Sequence, residues 1–233
     1  MLASCDIDAF VLSPLQPDSA VSVIGDTSIP VLFVDTDAPY DKKVSYIGTG
    51  NYEAAYQGGE YAAKEAGEGA KAVWIGGVQG NTTSDERERG FIEALEANGV
   101  EVVAKQYAEA LADNASSIME NLLTTLNNDV QIVVANNDEI AAGAARAIQQ
   151  AGLTDVIIVG FDGIQAGVQN IIDGTVSATV AQSPYNMGYM AVVNAVAVAK
   201  GEKIESTIDT GAKVITAENA QEYLDELKSL LGK

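Results

Sequence analysis

Apolar residues fall into short runs of consecutive positions that alternate with longer stretches of helical periodicity. The short runs predict β-strands at 9–13, 30–34, 71–77, 101–107, 130–135, 156–161 and 176–181. The longer stretches predict helices at 17–26, 51–66, 84–98, 114–127, 138–151, 164–172, 185–200 and 217–231. Several strands are apolar at successive rather than alternating positions, which is typical of parallel strands covered on both faces. Regular strand–helix alternation predicts an α/β fold with parallel sheets.

The charge balance narrows the possible partners. The chain has 33 acidic and 13 basic residues, for a net charge of −20. A phosphate backbone would be repelled, so nucleic acid is not an expected partner. Histidine is absent, which excludes Ser-His-Asp and Cys-His catalysis and the commonest zinc ligand. We therefore expect no cofactor and no metal.

The first residues, "MLASC", resemble the end of a lipoprotein signal, with Cys5, the single cysteine, as the acylated residue. A signal needs an apolar run of about 7–15 residues before its cleavage point, whereas four residues precede Cys5. We expect instead the last turn of a helix that leads into strand 9–13.

Polar side chains follow most of the predicted strands. Ligands of open α/β sheets bind beyond the carboxyl ends of the strands, which is where these side chains lie. Ser13 ends the first strand, and Arg87 lies in the first turn of the helix after strand 71–77. The others are Asp35, Asn136, Asn137, Asp138, Asp162 and Gln182. Carboxylates accept hydrogen bonds from sugar hydroxyls, carboxamides both donate and accept, and arginine donates a planar fork. The set predicts a binding site for a polyhydroxylated ligand.

Alternatives exist for each of these positions. Asp and Asn after a strand are common helix caps, and we expect Asn136 and Asp138 to be caps or solvated. Thr83 to Glu86 fits a capping box for the following helix. Asp35 and Asp162 could in principle act as the acid and base of an enzyme, although nothing in the sequence tunes them.

Longer motifs carry a family resemblance. The segments "VDTDAPYDKKVSYIGTGNYEAA", "ERERGF", "VVANNDEIAAGAARAIQQAG", "DVIIVGFDG" and "SATVAQSPYNMGYMAV" resemble ribose/galactose-type periplasmic sugar-binding proteins, the solute receptors of ABC transporters. The resemblance implies a two-lobed α/β fold with a monosaccharide in the interlobe cleft, no catalysis, an extracytoplasmic location and an ABC permease as partner. The same motifs occur in the ligand-sensing cores of lactose-repressor-type regulators. The alternative function is therefore that of such a regulator core.

The resemblance also implies roles for individual residues. Asp35 matches a carboxylate of the first lobe, with Ser13 as a further polar contact and Thr49 at the first chain crossing. In the second lobe Arg87 matches the guanidinium that clamps the ring. The matching strand-end residues there are Asn137, Asp162 and Gln182. Phe161 adjoins Asp162 and is expected either in the core or at the rim of the cleft. Apart from the resemblance, the segment "GGVQG" predicts a tight strand-to-helix turn in which Val78 lines the cleft.

The chain departs from ribose receptors at two positions. Thr36, which stays a ligand-binding candidate, replaces an arginine, and Ala110 replaces an aromatic platform. These departures weaken the expectation of ribose itself and leave other pentoses and hexoses open.

Family members carry about sixty residues before the segment matching "DIDAFVLSP". We therefore expect a truncated N-terminal lobe, 1–49 plus 183–211, and a complete C-terminal lobe, 50–182 plus 212–233, with sugar binding impaired by the truncation. Strand 9–13 would expose an open edge, and we expect self-association there.

Overall fold

The protein is described by a computed structural model, which covers residues 7–14, 16–230 and 232. Its elements in chain order are β1 Phe10–Leu12, α1 Pro17–Ile24, β2 Val31–Val34, β3 Lys43–Gly48, α2 Asn51–Ala66, β4 Lys71–Gly76, α3 Thr82–Ala97, β5 Glu101–Tyr107, α4 Ala112–Thr125, β6 Ile132–Ala135, α5 Asp138–Gln150, β7 Ile157–Asp162, α6 Gln165–Ile172, β8 Ala178–Ala181, α7 Pro184–Ala199, β9 Thr207–Asp209, β10 Lys213–Thr216 and α8 Ala220–Leu230. The α/β class expected from the sequence is confirmed.

The chain divides into two compact units. Unit 1 comprises 1–50 and 183–211, and unit 2 comprises 51–182 and 212–233. The chain therefore passes from one unit to the other three times, and neither unit is continuous in sequence.

Unit 1 is built on a four-stranded parallel sheet in the order β1-β2-β3-β9. Successive side chains of a strand point to opposite faces, and β2 shows this clearly. Val31 and Phe33 belong to one apolar cluster, which also contains residues of α1. Leu32 belongs to a second cluster, together with Ala191 of α7. One helix thus covers each face of the sheet.

Unit 2 is built on a six-stranded sheet in the order β10-β8-β7-β6-β4-β5. All neighbours are parallel except β10, which runs antiparallel to β8. The apolar runs of the central strands fill two core layers. Val73 and Val133 belong to one layer, and Trp74 and Val134 belong to the other. Burial on both faces explains why these strands lack alternation.

Three strands were not predicted from the sequence: β3, β9 and β10. The antiparallel β10 means that the larger sheet is mixed rather than wholly parallel. The capping box expected at Thr83 is also wrong, because α3 begins at Thr82 and the side chain of Asn81 accepts the N–H of Ser84. The expectation that Cys5 belongs to the last turn of a helix lies outside the described residues, as does Leu231, the last residue of the helix predicted at 217–231.

Within the part of the chain that the structure describes, every helix is too short or too polar to span a bilayer.

Candidate ligand-binding residues at the strand ends

Arg87 is a buried cation of unit 2 with several polar partners. It lies on α3 and is only 5% exposed. Its Nε donates to Asn51 Oδ1 at 2.9 Å, and one terminal nitrogen donates to the backbone oxygen of Asn136 at 2.9 Å. The same nitrogen lies 3.2 Å from Asp162 Oδ1. Buried ions need such partners because desolvation of an unpaired charge is costly.

Phe161 supports the same guanidinium. The central carbon of Arg87 lies 3.8 Å from the centroid of the Phe161 ring, within the range of a cation–π interaction. Phe161 is fully buried. Of the two places expected for this side chain, the structure therefore favours the core, where the ring holds the arginine in place.

Asp162 ends β7 and connects Arg87 to Gln182. Gln182 Nε2 donates to Asp162 Oδ1 at 2.7 Å, while the side chain of Asp162 remains 29% exposed. Its φ is 106°, a left-handed value that costs an L-residue free energy and often marks a functional site. Three of the predicted residues, Arg87, Asp162 and Gln182, are thus joined in one hydrogen-bonded group.

Asn137 lies directly before α5 and caps it. Its Oδ1 accepts the N–H of Ile140 at 2.9 Å, while its Nδ2 makes no hydrogen bond to the described residues and the side chain is half-buried. The expectation that Asn136 and Asp138 are caps or solvated is wrong. Both are buried, and Asn137 takes the cap position that either neighbour could fill.

Asp138 is an unusual carboxyl group because it is almost fully enclosed, at 3% exposure. Its Oδ1 accepts from Thr179 Oγ1 at 2.6 Å, and its Oδ2 accepts the N–H of Ile164 at 2.9 Å. The pKa of Asp138 is raised from 3.8 to about 7, chiefly by burial and also by the nearby charge of Asp162, while these hydrogen bonds oppose the rise.

Val78 lies in the exposed loop between β4 and α3. The loop is attached to the first turn of the helix that carries Arg87. Val78 therefore presents an apolar surface to solvent at the carboxyl end of β4.

Unit 1 brings three predicted residues together after β1 and β2. Ser13 Oγ lies 3.5 Å and Thr36 Oγ1 3.2 Å from Asp35 Oδ2. Asp35 is exposed and adopts a left-handed φ of 66°. Thr49, which follows β3, is buried.

Tyr46 fixes the backbone of Asp35 and was missed from the sequence. Its hydroxyl donates to the Asp35 carbonyl oxygen at 2.8 Å, and the Asp35 N–H donates to Ile47 at 2.9 Å. A side chain at Gly48 would collide with the Tyr46 ring. The signal for Tyr46 was its place in "VSYIG", which is recognisable only once that segment is known to be a strand.

The chain thus has two α/β units, each carrying polar side chains at the carboxyl ends of parallel strands. The protein-family model for the periplasmic binding protein domain matches residues 2–203 of the sequence. The chain belongs to this family, which confirms the resemblance found in the sequence.

Several relatives are similar over most of the chain. The ribose import binding protein RbsB of Escherichia coli K12 is 38% identical over 208 residues, which are 88% of this chain and 70% of that protein. An ABC transporter solute-binding protein of Bacillus halodurans, solved with myo-inositol, is 28% identical with a TM-score of 0.87, covering 95% of this chain and 78% of that one. The glucose-galactose binding protein GanP of Geobacillus stearothermophilus is 29% identical with a TM-score of 0.86, covering 94% of this chain and 79% of that one.

Proposed function

We propose that the protein binds a monosaccharide without chemical conversion, as the solute receptor of a sugar ABC transporter. The hydrogen-bonded group of Arg87, Asp162 and Gln182 carries this proposal. It combines a donor fork, a partly exposed carboxylate and a carboxamide at the carboxyl edge of a sheet, the groups that pair with sugar hydroxyls. The similarity to ribose, inositol and glucose-galactose binding proteins supports it.

The remaining candidates contribute in different ways. Asp35, with Ser13 and Thr36 beside it, supplies acceptors and donors from unit 1, and Asn137 supplies an amide nitrogen from unit 2. Val78 offers apolar contact to a ring face. Phe161 acts through Arg87, because its ring is buried beneath the guanidinium. Thr49 is buried after β3, and its place among the candidates rests on the family resemblance alone.

Calorimetry with D-ribose, D-allose, D-glucose, D-galactose, D-fucose and myo-inositol tests the proposal. We expect saturable binding of at least one of them at a single site, and recovery of that sugar unchanged in its NMR spectrum after prolonged incubation. Absence of binding across the panel would contradict sugar recognition, and turnover of the bound sugar would revive the enzyme alternative.

The transport role, an ABC permease partner and an extracytoplasmic location belong to the same proposal. They are favoured over a lactose-repressor-type regulator because the similar proteins include import binding proteins of ribose and fructose. The net charge of −20 also disfavours a role at a promoter.

We further propose that unit 1 self-associates through β1. This strand lies at the edge of its sheet and pairs only with β2 among the described residues, and an unpaired edge can recruit a second copy. A mostly apolar groove of about 650 Å³, lined by residues that include Phe10, Leu12 and Val23, adjoins it.

Light scattering at 0.15 M salt, which screens the acidic surface, tests this association. We expect the mean mass to rise with concentration for the wild type and to rise less for Val11→Lys on β1. Ile172→Lys is the matched control, because the two residues are 38% and 39% exposed. A constant monomer mass for the wild type, or equal effects of both substitutions, would refute the role of β1.

A further inference from the structure

Asp138 differs sharply from the acidic residue beside it. Both lie in the first turn of α5, where a negative charge is favourable. Glu139 is exposed, whereas Asp138 is enclosed between elements that are distant in sequence. Its carboxylate contacts Thr179 on β8 and the N–H of Ile164, just before α6. An acidic residue can interact favourably with a helix N-terminus while exposed, so the burial of Asp138 needs another explanation.

The contacts of Asp138 converge on the turn that follows Asp162. Asp162 and Gly163 both have left-handed φ values, 106° and 71°. The N–H of Gly163 donates to Thr179 Oγ1 at 3.3 Å, and the Thr179 hydroxyl donates to Asp138 Oδ1 at 2.6 Å. The next N–H, of Ile164, donates to Asp138 Oδ2 at 2.9 Å. Both N–H groups after Asp162 are therefore held by this pair of side chains.

Two glycines make room for the Asp138 carboxyl group. A Cβ atom on Gly160 or Gly167 would collide with the Asp138 side chain. On the carbonyl side of the turn, the Tyr223 hydroxyl lies 3.3 Å from the Gly163 oxygen. The positive φ of Asp162 costs free energy and persists only where the surrounding structure determines it, and these contacts supply that determination.

We propose that Asp138 and Thr179 are positioning residues, which hold the turn after β7 so that the Asp162 carboxylate meets Arg87 and Gln182. The inference rests on the proposed function, because it assigns Asp138 and Thr179 a role in sugar binding although neither touches the sugar. They act through Asp162, by fixing the backbone at the end of β7 from which its side chain projects.

Affinity for D-ribose, measured by calorimetry at pH 8, provides the first test. We expect Asp138→Ala and Thr179→Val to bind at least tenfold more weakly than the wild type. Asp138→Asn keeps an acceptor for Ile164 and Thr179→Ser keeps the hydroxyl, so both should stay within threefold. Glu139→Ala is the matched control and should also stay within threefold. In an Asp162→Ala background, Asp138→Ala should cause no further loss, because the residue through which it acts is gone.

Amide hydrogen exchange at Gly163 and Ile164 provides a second test that needs no sugar. We expect exchange at least tenfold faster in Asp138→Ala and Thr179→Val, with the amides of β4 and β6 unchanged. If the wild type binds neither D-ribose nor any other sugar of the panel, the proposed function fails, while amide exchange still tests the positioning role. If Asp138→Ala does not fold, Thr179→Val decides. Wild-type exchange in the folded variants, or equal losses for the alanine and asparagine variants, would overturn the proposal.

Discussion

We expect the substitution Arg87→Ala to weaken monosaccharide binding by about 100-fold. Hydrogen bonds to charged groups contribute about 1.5–3 kcal/mol each, and 1.4 kcal/mol is a factor of ten in affinity. The loss of two such contacts to the ligand, together with the loosening of Asp162, accounts for the expected size. Arg87→Lys recovers little, because an ammonium group cannot reproduce bonds to Asn51, Asn136 and Asp162 from a planar fork.

The motif "ERERGF" offers a matched control for this experiment two residues further along α3. Arg89 is exposed and stacks over Tyr52 at 4.5 Å. Arg89→Ala should bind like the wild type in calorimetry. Circular dichroism confirms that each variant is folded before its affinity is compared. An Arg87→Ala protein that is folded and binds with wild-type affinity would remove Arg87 from the site.

Replacing Asp138 with asparagine changes how stability depends on pH, with the largest effect between pH 4 and 7. Because burial raises the pKa of Asp138 to about 7, the folded protein keeps this proton at pH values where the unfolded chain has lost it. Stability from this group is therefore greatest at low pH and declines as pH rises toward 7. Asparagine does not titrate, so its contribution stays constant with pH. We therefore expect the free energy of unfolding of the variant, relative to that of the wild type, to rise by roughly 4 kcal/mol from pH 4 to pH 7.

Urea unfolding measured at pH 4.5, 6 and 7.5 checks this expectation. Trp74 is the single tryptophan and is buried in unit 2, so its fluorescence reports the unit that contains Asp138. The charged and titratable groups facing Asp138 are Asp162 and Tyr223. They are present in both proteins, so the difference between the two unfolding free energies isolates Asp138. A difference that is the same at all three pH values would contradict the assignment, and Glu139→Gln serves as the exposed control.

The sequence predicted the central elements of the fold well because their patterns are long and fully buried. Helix 51–66 was predicted with the bounds that α2 has, and β4 and β6 were recognised from uninterrupted apolar runs. The strand β3 was missed because polar side chains interrupt its pattern, "KVSYIG", and it is only partly buried. β9 and β10 are short strands at sheet edges, and pairing with a neighbour, rather than their own composition, makes them strands.

The sequence named the candidate residues but did not predict the hydrogen bonds between them. The motifs pointed to Arg87, Asp162 and Gln182, and these side chains prove to be hydrogen-bonded to one another. The sequence could not distinguish the roles of Asn136, Asn137 and Asp138, because all three can cap a helix. Only the packing of β7 and β8 beside α5 decides that Asn137 caps while Asp138 turns inward.

The order in which the chain visits its two units has a consequence for biosynthesis. β10 pairs with β8, yet α7 and β9, which belong to unit 1, are made between them. A nascent chain that has emerged only as far as β8 leaves one margin of the larger sheet open until the ribosome has added more than thirty further residues. Since unpaired strand edges promote aggregation of unfinished proteins, a chaperone that covers this edge during the interval would protect the chain.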